Sequence, residues 1–384
     1  LQGDFMFIKH SKLILFVGVF VLLAFVASMY AQLELPTPDG PYAVGRTTLN
    51  WVDTSRPEVL TEDPSDFREV VAMVWYPAEP GTGVRAGYFP NLATVSDALV
   101  ESGEVGWWEA FGLRFIRSES RLDGSPAKDE QAFPVLILSP GNGTNIEFYA
   151  SLAGDIASHG YIVIGLNHPY DVPAVKLSNG QIAAYDKDQW LLEAEAHQAY
   201  IAERIKVRTA DVLFVLNQLE GMNFNSLSAG LIDLDAVAVA GHSLGGIVAS
   251  EACKSDQRFK ACLNFDGVQR GGPFSTDENS ISPAQPFLFL TKEPQLHPKI
   301  LERFESMPES YWIVVHGASH QSFTDGPLLQ PSLVPIANQA DRFMDLIRTY
   351  TLAFLDQTLK GKPDPLLSIQ TEREGVSVTT FPSQ

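Results

Sequence analysis

Short apolar runs recur along this chain, separated by segments with helical spacing. Val70–Trp75, Phe133–Leu138, Tyr161–Leu166, Ala236–Ala240, Ala261–Phe265, Pro286–Leu290 and Tyr311–Val315 each read as a strand. They are apolar at successive positions, as strands buried on both faces are. Between them lie helical segments at Ile146–His159, Asp186–Leu219 (one long helix or two broken ones), Leu244–Lys254 and Ile336–Leu359. Such alternation predicts the α/β class, with a mostly parallel central sheet and helices on both faces. Reactive groups should then gather at the carboxyl ends of the strands.

Two stretches stand apart from this rhythm. Leu13–Ala31 carries no charge and follows Lys9 and Lys12, which is a basic region leading into an apolar run. The small residues near Ala27 and Ala31 would admit a signal peptidase. As a helix the run would rise about 28 Å, near the thickness of a bilayer core. Residues 1–31 therefore read as a cleaved signal peptide or an uncleaved membrane anchor, and the remainder as exported: secreted, periplasmic or anchored. After the linker Leu35–Pro41, residues 32–384 read as one catalytic domain, with an insertion near 92–127 that holds Trp107, Trp108 and Phe111. Those aromatics suit either a packed insertion or a lipid interface.

Composition narrows the partners. Hydrophobic residues make up 45% of the 384, enough for a sizeable core, and the formal net charge is −19. So acidic a chain is a poor match for nucleic acid, whose phosphates need Lys and Arg. The two cysteines, Cys253 and Cys262, are too few for a disulfide scaffold or a cysteine-rich zinc site. Outside the cytoplasm they are permitted to pair. Neither a nucleotide loop nor a metal-ligand cluster is evident, so no cofactor is expected.

The chemistry concentrates in Val237–Gly246. A β-branched strand runs into Gly241-His242-Ser243-Leu244-Gly245 and then into a helix of small residues. This G-x-S-x-G between strand and helix is a nucleophile elbow, which puts Ser243 on a sharp turn at a helix N-terminus. A serine needs a base to take its proton. In the order serine, acid, histidine, His320 on the loop after the last strand is favoured over His316 at that strand's end. For the acid, Asp266 at the tip of the neighbouring strand is favoured over Glu293 after the next one. Asp233 and Asp235 precede the serine and read as a solvated turn, and His242 reads as a supporting residue rather than the base. The oxyanion hole would take the Leu244 amide and one from Ser139-Pro140-Gly141-Asn142-Gly143, with Asn142 best placed. His168 ends another strand and suits either a pocket wall or a structural role.

With these residues in hand, the chain resembles the plasma and type II platelet-activating-factor acetylhydrolases, a group of α/β hydrolases. The likeness runs from about Leu35 to Lys362. It is carried by Gly40–Gly45, Val74–Ala78, Asn145–Gly160, the elbow at Gly241–Gly246, Ser255–Asp266 with its DQRF context, and Gly317–Phe323 around the histidine. The resemblance implies Ser243, Asp266 and His320 as the triad and Asn142 with Leu244 as oxyanion donors. It also implies calcium-independent release of short acyl groups from the sn-2 position of phospholipids. Pro140 stands where the family usually has histidine. A generalist carboxylesterase or cutinase-like polyester hydrolase is the alternative; a peptidase or a non-catalytic binding protein follows further behind.

Overall fold

The computed structural model describes residues 2–31, 33, 35–103, 105–128, 132–185, 187–221, 231–267, 282–292, 298–307, 309–330, 337–368 and 375–381. In chain order the strands are β1 (Ala43–Pro57), β2 (Phe67–Ala78), β3 (Val84–Gly87), β4 (Arg117–Leu122), β5 (Phe133–Ser139), β6 (Ile162–Asn167), β7 (Ala174–Lys176), β8 (Ile182–Ala184), β9 (Ile232–His242), β10 (Phe259–Phe265), β11 (Phe287–Thr291), β12 (Ser310–Val315) and β13 (Val376–Phe381). The helices are α1 (Gln2–Ala31), α2 (Leu92–Glu101), α3 (Trp107–Gly112), α4 (Ala150–Ser158), α5 (Ala194–Gly221), α6 (Leu244–Ser255), α7 (Pro298–Ser306), α8 (Ala337–Lys360) and α9 (Pro365–Ser368).

One large sheet runs in the order β13-β12-β11-β10-β9-β5-β6-β2-β1-β4-β3, and β7 and β8 form a separate hairpin. From β6 through β5, β9, β10 and β11 to β12 every neighbouring pair is parallel. Antiparallel pairs flank this block at β2–β6 and β12–β13. The period-2 geometry of a strand sends alternate residues to opposite faces. Val135 and Ile137, with Val237 and Val239, pack against α5, α6 and α7 on one face. Leu136 and Leu138, with Ala238 and Ala240, pack against α4 and α8 on the other. Both faces are therefore covered, as the apolar runs predicted.

The structure departs from the sequence pattern in four places. The region near 92–127 is not only an overlay: its β4 pairs with β1 and β3 and lengthens the sheet. β1 alternates half-buried and exposed residues along much of its length, and its one-sided pattern gave no continuous apolar run. The segment Ile146–His159 splits into a 3-10 turn over Ile146–Tyr149 and α4, and Asp186–Leu219 splits into a 3-10 turn over Lys187–Leu191 and α5. Trp107 is half exposed and stacks on Trp108 with ring centroids 3.4 Å apart. Among the described residues no helix is long and apolar enough to cross a membrane. Cys253 on α6 and Cys262 on β10 form a disulfide with a Cα separation of 6.2 Å.

Candidate active site

Ser243 stands between the end of β9 and the start of α6, with φ 55° and ψ −121°. A non-glycine residue at positive φ is strained and needs its surroundings to hold it. The flanking glycines show what holds it. A Cβ on Gly241 would lie 2.0 Å from the Gly245 carbonyl oxygen, and one on Gly245 would lie 2.1 Å from that of Ser139. Only glycine at both positions lets strand, helix and the β5 end close together. The Ser243 amide donates to the Phe265 carbonyl at 2.9 Å, tying the elbow to the end of β10.

Asp266 is the residue after β10, also at positive φ (51°), with its amide bonded to Leu290 of β11. Its Oδ2 accepts from His320 Nδ1 at 2.6 Å. Its Oδ1 accepts from Thr291 Oγ1 at 2.7 Å and from the Lys292 amide at 3.3 Å. Burial pushes the Asp266 carboxyl up, but the hydrogen bonds from His320 and Thr291 outweigh it and hold the group below the usual carboxylate range. His320 opens a 3-10 turn after β12, capped by Ser319. With Nδ1 engaged by the carboxylate, Nε2 is the nitrogen left to face a substrate. The alternatives resolve differently. His316 bonds Ser377 of β13 at 2.6 Å, at an exposed position. Glu293 lies outside the described residues.

His242 supplies a connection that the sequence only hinted at. Its ring is buried, with Nδ1 2.8 Å from Tyr149 Oη and Nε2 3.0 Å from the His320 carbonyl oxygen. Tyr149 Oη also accepts the Gly141 amide at 3.0 Å. The proton directions follow from the fixed donor and acceptor: the amide donates to Oη, Oη–H donates to Nδ1, and Nε2–H donates to the carbonyl. His242 must then be neutral. Burial, reinforced by the His320 charge, pushes its pKa down to about 3. One chain of bonds thus joins the turn after β5, the elbow and the histidine loop. Sequence reasoning missed Tyr149 and Thr291, because a lone aromatic in a helical run and a threonine at a strand end carry no signal.

The turn after β5 is held from three sides. The Gly141 amide goes to Tyr149, and the Gly143 amide donates to the Asp171 carbonyl at 3.0 Å. Pro140 has no amide, and its carbonyl accepts from buried Arg208. Asn142 is the remaining amide of the turn, while its Nδ2 contacts Tyr185 Oη at 3.2 Å. Beneath lies a buried polar chain: Ser139 Oγ to His168 Nε2 at 3.0 Å, His168 Nδ1 to Asp211 at 2.8 Å, and Asp211 to Arg68 at 2.7 Å. His168, fully buried, is thus part of this support.

A cavity of about 180 Å³ opens beside the site, lined by Gly143, Thr144, Phe148, Gln321 and Thr324 among others. A larger one, about 330 Å³, is lined by residues such as Thr48, Met73, Glu147 and Asn167. Its walls come from β1, β2, β6 and the β7–β8 hairpin, not from the segments that carry Ser243, Asp266 and His320. Among the described residues, Asp39, Asp155 and His159 lie close enough to share an ion. Asp155 already pairs with Arg348 there, a sufficient structural role.

The comparisons with known proteins agree with this architecture. The chain is 25% identical over 379 residues to a probable 1-alkyl-2-acetylglycerophosphocholine esterase of Arthroderma benhamiae, covering 90% of this chain and 93% of that protein. It is 26% identical over 363 residues to a platelet-activating factor acetylhydrolase of Cavia porcellus, covering 86% and 79%. Among solved structures, a ferulic acid esterase from Streptomyces cinnamoneus superposes with a TM-score of 0.71 at 26% identity, covering 91% of this chain and 99% of that one. The fold is that of an α/β hydrolase and the chain is an ester hydrolase. The family model described as platelet-activating factor acetylhydrolase, isoform II, matches residues 27–364, and the chain belongs to that family.

Proposed function

We propose that this protein cleaves short acyl groups from the sn-2 position of phospholipids, with Ser243 as nucleophile, His320 as base and Asp266 as its orienting carboxylate. The observation that carries the reading is the 2.6 Å Asp266–His320 pair beside a serine at φ 55° on a helix N-terminus. Ser243 Oγ attacks the ester carbonyl while His320 Nε2 takes its proton. The amides of Leu244 and Asn142 receive the developing oxyanion. Collapse expels the lyso-phospholipid alcohol, which takes the proton back from His320. A water molecule, deprotonated by His320, then attacks the acyl-enzyme and frees the carboxylic acid and Ser243. No metal or cofactor takes part in this scheme.

In the same reading residues 32–384 form one domain that carries the nucleophile, base, acid and oxyanion turn outside the cytoplasm, and the ester is met at a lipid surface. Lys9 and Lys12 before the uncharged 13–31 run support export. Exposed Phe16, Phe20 and Phe25 on α1 and Trp107 on α3 support the lipid surface. The similarity to a ferulic acid esterase favours one second reading, a carboxylesterase of broader range. The test is hydrolysis of an sn-2 acetyl phospholipid beside a series of chromogenic esters, with Ser243→Ala as control. Cleavage of the phospholipid, lost in the variant, is the expected result. Activity confined to simple esters would shift the reading to the carboxylesterase, and turnover that survives Ser243→Ala would end both.

A further inference from the structure

One wall of the cavity beside His320 comes from the N-terminal helix. Tyr30, in the last turn of α1, lines it together with Val105, Glu109 and Leu113. The lining also includes Gly143 and Thr144 of the turn after β5 and Gln321 next to His320. Tyr30 is only 7% exposed. Its position is built in from the facing helix: a Cβ on Gly112 of α3 would lie 2.4 Å from the ring, so a glycine is what lets α3 close over it. The Leu33 amide donates to the Tyr30 carbonyl at 3.1 Å, and Leu35 lies in the core. Val26, one helical turn earlier, also packs against that core.

We propose that Tyr30 sets the acyl-length limit of the ester pocket, and that the active enzyme therefore keeps α1. The inference rests on the reading of Ser243 as nucleophile. A cavity of about 180 Å³ is smaller than the ~300–1,000 Å³ of sites for larger ligands, and matches a short acyl chain. The Tyr30 ring is the part of its lining that α1 supplies. Cleavage after Ala31 would remove the ring and leave Val105, Glu109 and Leu113 facing solvent. The apolar leader is thereby a part of the specificity device and not only an address.

The experiment compares the full chain, Tyr30→Ala, Tyr30→Phe and Gly112→Ala on acetyl, butyryl, octanoyl and palmitoyl esters of one phenol, with Ser243→Ala as the blank. The readout is kcat/KM for octanoyl relative to acetyl. Tyr30→Ala is expected to raise that ratio about tenfold, the scale at which apolar pockets discriminate chain length. Gly112→Ala, which pushes the ring aside, should move it in the same direction, and Tyr30→Phe should keep the wild-type ratio. An unchanged ratio in Tyr30→Ala, including an equal loss on all four esters, overturns the proposal. So does an intact-mass measurement of the exported enzyme that finds it beginning after Ala31. Survival of turnover in Ser243→Ala would instead sink the hydrolase assignment, a failure visible without any Tyr30 variant.

Discussion

Tyr149 is where the site is most vulnerable to the loss of a single atom. Tyr149→Phe removes Oη and keeps the ring, which is fully buried. Two groups lose their partner at once, the Gly141 amide and His242 Nδ1. A buried polar group left unsatisfied costs about 1–3 kcal/mol, so the pair amounts to about 2–6 kcal/mol against folding. Part of that cost can be relieved only if the Gly141 turn or the His242 ring moves. In the proposed mechanism either movement disturbs catalysis, because the turn carries Asn142 and the ring holds the carbonyl of His320. Urea unfolding should show a loss of at least about 2 kcal/mol with an unchanged m value. On an acetyl ester, kcat should fall about 10- to 100-fold with little change in KM, since losing one oxyanion donor outright costs about 3 kcal/mol. In a double-mutant cycle with His242→Asn the two effects should couple by about 1 kcal/mol or more. A stability change within about 0.5 kcal/mol, or normal kcat, would refute the chain of bonds as the link between turn, elbow and histidine loop.

Three further outcomes follow from neighbouring groups. Asp325 is buried, accepting from Tyr88 Oη at 2.9 Å and the Ser151 amide at 3.1 Å, and burial pushes its pKa up from 3.8 to about 7 despite those bonds. Its folded form keeps a proton that the unfolded chain gives up above pH 3.8, so its contribution is full below that pH and declines as pH rises to about 7. Asp325→Asn should therefore gain on the wild type by about 3 kcal/mol between pH 4 and pH 7, read as the difference between two urea-melt series. Thr291→Val takes a donor from Asp266 and should lower kcat about tenfold with KM unchanged, measured by steady-state hydrolysis. Replacing Cys253 and Cys262 together by alanine opens a short loop between α6 and β10 and should cost about 3 kcal/mol in thermal or urea unfolding.

The legible part of this protein was the part with a repeating or local signal. The parallel strands from β6 to β12 are apolar on both faces and announce themselves as runs, and the elbow is a contiguous motif whose flanking strand and helix are both visible. Asp266 could be singled out because it follows an apolar strand directly, and His320 because it lies on the loop just beyond the last such strand. What stayed hidden depends on contacts between distant segments. β4 reads RSESRL, and its membership of the sheet is decided by pairing with β1 and β3. Tyr149 meets His242 across 93 positions, and Tyr88 meets Asp325 across 237. His168 could be assigned to a pocket or to structure with equal reason, because its burial follows from Arg68, Asp211 and Arg208, which come from β2 and α5.

That last group explains why residue types alone do not make a catalytic site. Ser139, His168 and Asp211 are bonded in the order serine, histidine, aspartate at 3.0 and 2.8 Å, much as a hydrolytic triad would be. Yet all three side chains are fully buried. Burial, with Arg208 nearby, pushes His168 down to about 4, so the imidazole stays neutral and resists taking a proton from Ser139. Asp211 is held far below the usual carboxylate range by Arg68 and the bond from His168, in spite of its burial. The Asp266–His320 pair differs in one decisive respect: the His320 side chain is 29% exposed, so its free nitrogen can reach an ester and its cation can be solvated. The buried chain anchors the β5 end from which the turn with Asn142 projects, with Arg208 on the Pro140 carbonyl. Removing one partner of such a buried charged group typically costs about 3–5 kcal/mol. The same three residue types thus serve opposite ends in one chain, one set fixing the backbone and the other, in the proposed mechanism, moving a proton, and access to solvent is what separates them.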